Sequence, residues 1–240
     1  MGKLKNLGSK LLAGPYVIWM LLFTVIPLGL IIYNGFTNSD GRFTFKYVAA
    51  IADPVNAKPL LLSFEMSLIV TVVCLLLAFP LAVILSKYST DKNSFIVMIF
   101  ILPMWMNFML RTLAWRLILL NNGFLNQFLT MLGLSKVYLM NTKAAIIFGT
   151  AYDYFPFMVL PIYNAVVKID KDVINAAKDL GATNSVVLRK IILPLSVPGI
   201  VSGITMVLVP SMSEFVIADM LGGGKIYLIG NAIEQAFNSG

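Results

Sequence analysis

Five long apolar runs constrain this chain more than any other feature. They cover residues 11–33, 61–86, 95–120, 143–167 and 191–213. Each run has about 20–26 residues, and a helix of that length crosses a hydrocarbon layer of about 30 Å. The backbone inside a bilayer must satisfy its own hydrogen bonds, so isolated runs of this kind have to be helical. The sequence therefore predicts an all-α, polytopic transmembrane helical bundle with five visible spans.

The composition agrees with a membrane protein and excludes several classes of site. Hydrophobic residues make up 59% of the chain and charged residues 12%, whereas soluble domains are about half apolar and about a quarter charged. The chain has no His, and its one Cys, Cys74, lies inside an apolar run. A disulfide framework, a Cys/His metal cluster and a histidine general base are thus excluded. We expect no catalytic residues, no metal site and no enzymatic activity.

The basic residues indicate an orientation rather than nucleic-acid binding, although the net charge is +7. With a cytoplasmic N-terminus, the segments 1–10, 87–94 and 168–190 lie inside and carry ten Lys and Arg residues. The outside segments are longer and carry five. Short cytoplasmic loops are enriched in Lys and Arg, so the count predicts a cytoplasmic N-terminus.

This topology divides the chain into three parts. Residues 1–10 form a cytoplasmic segment, residues 11–213 form the transmembrane domain, and residues 214–240 form an extracellular segment. Within the domain, 168–190 is a cytoplasmic loop. The apolar residues of 121–142 recur at helical spacing, which predicts an amphipathic helix lying on the membrane.

The cytoplasmic loop carries clear helix boundaries. Asp170 can cap a helix that Gly181 ends in a left-handed turn, and Thr183 can cap a second helix that enters the next apolar run. Ala176 and Ala177 have very small side chains, so another protein surface can approach the backbone closely. The loop is predicted to form two short helices joined by a bend, outside the bilayer.

The order Ala176-Ala177, three residues, Gly181, nine residues, and then Ile-x-Leu-Pro resembles the EAA motif of permease subunits of bacterial ABC importers. In that family the motif is the coupling helix that docks on an ATP-hydrolysing subunit. One departure is visible, since the usual leading Glu is Asn175 here. The resemblance implies a coupling role for eight residues: Asn175, Ala176, Ala177, Asp179, Gly181, Ile191, Leu193 and Pro194.

The chain has no phosphate-binding loop of the Walker type. Gly222-Gly223-Gly224-Lys225 lacks both the earlier Gly and the Ser or Thr after Lys that the pattern requires, because those positions are Asp219 and Ile226. The glycines are instead expected to form a tight turn. ATP is therefore expected on partner subunits, and no cofactor is expected on this chain.

Further segments narrow the resemblance. Residues 103–108 with Arg111-Thr112, residues 154–163, residues 219–225 and residues 229–231 are similar to the family of spermidine/putrescine permeases. That resemblance implies a bacterial plasma-membrane subunit that carries polyamines. It also implies several partners: a second homologous permease subunit, two ATPase subunits and an extracellular solute-binding protein. The family usually has six spans, so a sixth is expected after Gly240, and the chain is either truncated or a shortened natural variant.

Cationic cargo would need carboxylates and aromatic faces along its path. Asp153 lies between Tyr152 and Tyr154, whereas Glu214 and Asp219 follow the last apolar run. Asp153 has a plain alternative role, which is to pair with Arg111 and hold two helices together. Glu214 and Asp219 have one too, as solvated loop charges. The predicted pathway residues are Trp105, Arg111, Asp153, Tyr154, Glu214 and Asp219.

Two other functions stay open at this point. A permease of the same superfamily could carry a different solute, such as an anion or a sugar. A secondary transporter or channel that works alone belongs to a different class, and co-purification with an ATPase would separate the two.

Overall fold

The computed structural model describes residues 14–38, 40–87 and 102–239. These residues fall into two units that divide between Ala57 and Lys58. Regular structure in the described ranges is helical, apart from one isolated antiparallel bridge between Thr37 and Phe43. The helices are α1 (Gly14–Gly35), α2 (Lys46–Ala49), α3 (Pro54–Lys87), α4 (Phe108–Leu119), α5 (Phe124–Met131), α6 (Lys143–Val167), α7 (Lys171–Asp179), α8 (Asn184–Met212), α9 (Val216–Gly222) and α10 (Ile229–Ser239). The predicted all-α polytopic fold is confirmed.

Four of these helices, α1, α3, α6 and α8, are long and apolar enough to cross a membrane. Helix α6 has the predicted bounds, and α3 begins at Pro54, before the predicted 61. Helix α8 begins at Asn184, not at 191. The second short helix of the loop is therefore continuous with the last span, as predicted for a helix that Thr183 caps and that enters the next apolar run.

The third predicted span, 95–120, is only partly described, because 88–101 lies outside the described residues. Its described part is not one continuous helix. A 3₁₀ turn covers Leu102–Trp105, and Asn107 then leaves helical geometry at φ −57° and ψ 126°. The side chain of Asn107 accepts hydrogen bonds from the N–H groups of Met109 and Leu110, so it begins α4 as an N-cap. The prediction missed this break because a single asparagine lowers the mean hydropathy of a long apolar run only slightly.

Two spans contain a π-helical turn that ends two residues before a proline. Leu21–Val25 precedes Pro27, and Leu188–Ile192 precedes Pro194. Proline has no N–H, and its ring clashes with the carbonyl four residues earlier. A wider turn just before the proline relieves that clash while the helix continues, as π-bulges do in other helices. Pro27 therefore modifies α1 without ending it.

Helices α6 and α8 pack closely because α8 presents two glycines four residues apart. A Cβ atom at Gly199 would lie 2.5 Å from the carbonyl oxygen of Pro161, and one at Gly203 would lie 2.7 Å from Sδ of Met158. Small residues at this spacing let two helix backbones approach in a membrane, where apolar side chains alone give little preference for association. The same pair of helices, with α3, encloses the larger buried cluster, which includes Cys74.

The described part of the predicted extracellular segment, 214–239, packs against the rest of the second unit. Ile217 and Leu221 of α9 are buried against Ile146 of α6. At the start of α10, the N–H of Ile229 donates to Oγ of Ser63 on α3 at 2.8 Å. The glycine turn is confirmed, since Gly223 and its neighbour have φ of 58° and 71°.

Candidate functional site

The loop at 168–190, which is predicted to be cytoplasmic, is built from local hydrogen bonds that follow the predicted boundaries. Oδ1 of Asp170 accepts from the N–H of Asp172 at 2.9 Å and begins α7. The helix ends at Asp179, and Gly181 follows its C-cap with φ 85°. The N–H of Gly181 donates to the carbonyl of Lys178 at 2.8 Å, and the N–H of Ala182 donates to the carbonyl of Ala177 at 3.0 Å. This pair of bonds is a Schellman motif, which only a residue with positive φ permits.

The second helix of the loop also has its predicted cap. Oγ1 of Thr183 accepts from the N–H of Val186 at 3.4 Å. The residues from Asn184 onward then continue into the last span. The bend between α7 and α8 is therefore fixed at both ends by side-chain or backbone caps.

The loop has an outer and an inner face. Asn175, Ala176 and Asp179 are exposed, whereas Ala177 packs against the buried cluster together with Ile174. Ala177 is therefore only half-exposed, and its role in coupling stays a prediction.

The remaining loop residues lie in different surroundings. Ile191 packs against the core, while Leu193 and Pro194 are exposed on the helix that leads into the last span. Leu180 was missed by the sequence reasoning, although it is 89% exposed at the end of α7. A leucine next to a helix-ending glycine, without an apolar neighbour to cover it, was the signal that could have identified it.

A second site lies inside the bundle, where a cavity of about 430 Å³ opens between α4, α6 and the end of α8. Its lining combines apolar, aromatic and charged side chains. The lining residues are Met104, Met106, Asn107, Phe108, Arg111, Asp153, Tyr154, Phe157 and Glu214. Met106 and Asn107 are exposed and form its rim.

The wall of this cavity contains a buried ion pair. Nε of Arg111 lies 2.8 Å from Oδ1 of Asp153, and both side chains are more than nine-tenths buried. The Nε–H does not point at the oxygen well enough for a hydrogen bond, so the attraction is that of two close charges. Arg111 also donates from Nη1 to the carbonyl of Pro103 at 2.6 Å, and its guanidinium lies 5.8 Å from the ring centre of Tyr152. The pair therefore ties the turn before α4 to α6.

The other carboxylate of the cavity, Glu214, is held from two sides. Its Oε2 accepts from the hydroxyl of Tyr154 at 3.1 Å, and its Oε1 accepts from the N–H of Ile217 at 3.1 Å. The second bond satisfies one of the free N–H groups at the start of α9. Glu214 is thus a capping residue that also faces the cavity, and it is not a solvated loop charge.

The structure brings together four of the six predicted pathway residues: Arg111, Asp153, Tyr154 and Glu214. Trp105 is 76% exposed and does not line the cavity. Asp219 lies on α9, where its Oδ1 accepts from Nδ2 of Asn231 at 2.7 Å. The pathway roles of Trp105 and Asp219 stay predictions, because neither residue lines the cavity.

The cavity and the loop lie at different depths of the bundle. Asp153 is fourteen residues before the end of α6 at Val167, which is about 21 Å along a helix axis. Glu214 follows Met212 at the end of α8 that is remote from the loop. A signal between the two sites would therefore have to travel along α6 and α8.

These features first define a class, which is a multi-pass helical membrane protein with a capped two-helix loop and, at a different depth, a charged cavity. Comparison with known families then narrows it. Residues 10–239 match the family described as "Binding-protein-dependent transport system inner membrane component", and the chain belongs to that family. It is therefore a multi-pass transport component of the bacterial inner membrane and not an enzyme. Members of this family work with a binding protein and ATPase subunits.

Two relatives show how far the similarity extends. The chain is 37% identical over 227 residues to the spermidine/putrescine transport system permease protein PotB of Salmonella typhimurium (strain SL1344), a match that covers 91% of this chain and 79% of the relative. It is 34% identical over 242 residues to PotB of Haemophilus influenzae, with 98% and 85% covered.

The fold also resembles that of a solved structure. A bacterial ABC transporter involved in the import of the acidic polysaccharide alginate contains a chain that matches with a TM-score of 0.66. The match covers 100% of this chain and 88% of that one at 19% identity. At that identity the likeness concerns the fold alone.

Proposed function

We propose that this chain is the permease subunit of an ATP-driven importer and forms the pathway for polyamines, spermidine or putrescine. One observation carries the proposal: the cavity of a chain 34–37% identical to spermidine/putrescine permeases has two carboxylates and one guanidinium in its wall. The resulting formal charge is −1, which suits a cationic cargo. The hydroxyl of Tyr154 and the ring of Phe157 add a polar donor and an aromatic face.

The proposed partners are those that the resemblance to this family implies. A second homologous permease subunit would complete the pathway, two ATPase subunits would dock on the loop, and an extracellular solute-binding protein would deliver cargo. ATP would bind on the ATPase subunits, and this chain would hold no cofactor. Closure of the ATPase pair would pull the coupling loops together and rock the bundles outward, as in alternating access.

The exposed face of α7 supports the docking role. Asn175, Ala176 and Asp179 lie on that face, and Leu180 at its end offers an apolar anchor. The Schellman turn at Gly181 gives the loop one defined shape, and a preorganised loop loses little entropy on docking. In this arrangement the N-terminus and the loop are both cytoplasmic.

Transport assays test the cargo. The chain would be reconstituted in vesicles with its partner permease, ATPase subunits and binding protein, and uptake of radiolabelled spermidine and putrescine would be followed with ATP inside. Polyamine uptake is expected in the wild type and a loss of at least tenfold in Glu214→Gln. Uptake of an anionic oligosaccharide instead would refute the polyamine assignment and favour the alternative of a different solute.

Labelling of single cysteines tests the orientation. Lys178→Cys places a thiol on the exposed loop, while the native Cys74 is buried and has an exposure of 0%. A membrane-impermeant maleimide is expected to label position 178 only from the cytoplasmic side. Labelling from outside alone would reverse the proposed topology.

A further inference from the structure

We infer that Arg111 is a specificity-determining residue, which keeps the formal charge of the cavity at −1 so that the site accepts an ammonium group and rejects divalent metal ions. The inference rests on the proposed cationic cargo and concerns the same cavity. It assigns to Arg111 a role that neither helix pairing nor cargo contact alone describes.

Arg111 is fixed in place and not available as a mobile ligand. It is 8% exposed and lies between the carboxylate of Asp153, the carbonyl of Pro103 and the ring of Tyr152. A guanidinium stays charged at every pH at which proteins fold. The cavity therefore contains a permanent internal cation on one of its two carboxylates.

Without that cation the cavity would suit a hard metal ion. Mg²⁺, Mn²⁺ and Ca²⁺ prefer oxygen ligands, and carboxylates above all. Asp153 is 7% exposed, and its carboxylate is balanced by Arg111, with the Thr112 side chain beside it. Without Arg111, this carboxylate would remain in the cavity wall with no cation to balance it. The same wall holds Glu214, so two carboxylates and a formal charge of −2 would attract a divalent ion strongly.

With Arg111 present, one negative charge remains, and the geometry assigns it to Glu214. A cargo ammonium can take the place of the Tyr154 hydroxyl as the donor to Oε2 of Glu214, since a charged donor forms the stronger bond. The rings of Tyr154 and Phe157 lie 6.1 Å apart and can flank the group. A divalent ion would meet the guanidinium at short range and would gain only one carboxylate. Discrimination would therefore come from a built-in repulsion.

Binding of Mn²⁺ provides a direct test. The chain would be purified in complex with its partner subunits, and free Mn²⁺ would be measured by electron paramagnetic resonance. Arg111→Gln is expected to tighten Mn²⁺ binding by about tenfold or more, because one repulsive charge is gone. The double variant Arg111→Gln with Asp153→Asn restores the formal charge of −1 and is expected to return to the wild-type affinity. Equal Mn²⁺ affinity in Arg111→Gln and wild type would overturn the inference.

A second variant covers the case in which loss of Arg111 prevents assembly. Asn107→Asp adds one negative charge to the rim of the cavity, leaves the ion pair in place and keeps a good N-cap for α4. It is expected to tighten Mn²⁺ binding severalfold. The matched control is Gln127→Glu, which adds the same charge at an exposed position outside the cavity and is expected to change nothing. An unchanged affinity in Asn107→Asp, or an equal gain in the control, would refute the inference.

The test distinguishes this inference from the proposed function. Mn²⁺ binding is measured without any cargo, so the charge argument stands or fails even if uptake assays find a different solute. Spermidine added to the Arg111→Gln complex should displace bound Mn²⁺ if the cavity is on the polyamine path. Tight Mn²⁺ binding that spermidine does not displace would support the role of Arg111 in rejecting metals and would contradict the cargo assignment.

Discussion

The loop at 168–190 and the cavity are held together by opposite kinds of contact. In the loop, Asp170 bonds two residues ahead, and the Schellman bonds close over three and five residues. In the cavity, Tyr154 and Glu214 are 60 residues apart, and Arg111 and Asp153 belong to different helices. Local contacts form as soon as the chain turns, whereas the distant pairs form only after α4, α6 and α8 have packed. The loop should therefore tolerate changes in the bundle, and the cavity should not.

The largest expected effect comes from breaking the buried ion pair. Asp153→Asn leaves Arg111 without its counter-ion in a buried site, which is expected to cost about 3–5 kcal/mol of unfolding free energy. Thermal unfolding of the detergent-solubilised complex measures the loss. Removing both charges, in Arg111→Met with Asp153→Leu, is expected to restore most of the stability, because no charge is then left unpaired. A single variant as stable as the wild type would show that the pair does not hold the helices together.

A smaller loss is expected where α6 and α8 touch. Gly199→Val places a Cβ 2.5 Å from the Pro161 carbonyl oxygen, so the helices must separate at a cost of about 1–3 kcal/mol. The Gly199→Val variant is expected to lose cargo uptake as well, because the cavity lies between these helices. Its binding of the ATPase subunit through α7 is expected to be unchanged. The control is Gly29→Val on α1, where a Cβ would meet no atom within 4 Å. Equal losses in the two variants would point to glycine flexibility, not close packing, as the cause.

A change at Gly181, in the turn of the loop, is expected to reduce the unfolding free energy less than the changes above. Its effect on ATPase binding is nevertheless expected to be large. Gly181→Leu forces a left-handed conformation on a leucine, which costs about 1–2 kcal/mol. It also adds bulk beside the exposed face, so pull-down of the ATPase subunit is expected to fail in a complex that still inserts into the membrane. Gly133→Leu, at φ 72° in open space, applies the same strain elsewhere. If both variants bind the ATPase normally, the coupling role of this turn is wrong.

The smallest expected effect concerns the N-cap of the loop. Asp170→Ala removes the acceptor for the N–H of Asp172 and is expected to cost about 0.5–1 kcal/mol, confined to the first turn of α7. Hydrogen exchange at the Asp172 amide should accelerate, with no change at the cavity. Lys171→Ala, which leaves the cap intact, serves as the control. Protection that is unchanged in Asp170→Ala would mean that the cap is not needed.

The parts of the molecule that could be predicted from the sequence are those held by local contacts. Hydropathy located α6 to the residue, because length and polarity in a bilayer depend on the local chain only. The caps at Asp170 and Thr183 and the left-handed Gly181 were predicted correctly for the same reason. The break at Asn107 was not predicted, since its effect depends on a backbone angle that hydropathy does not record.

The sequence by itself determined the class of protein, the apolar runs that form α1, α3, α6 and α8, the loop motif and the residue types from which a cation site could be made. It offered two roles for Asp153, and only the tertiary structure decided that its carboxylate lies against Arg111. In the same way, packing made Glu214 a cap that faces the cavity, and turned Ala177 inward and Leu180 outward. The physical reason is that charge pairing and burial depend on which helices meet and at what rotation. That choice is made by close contacts such as those at Gly199 and not by any local pattern.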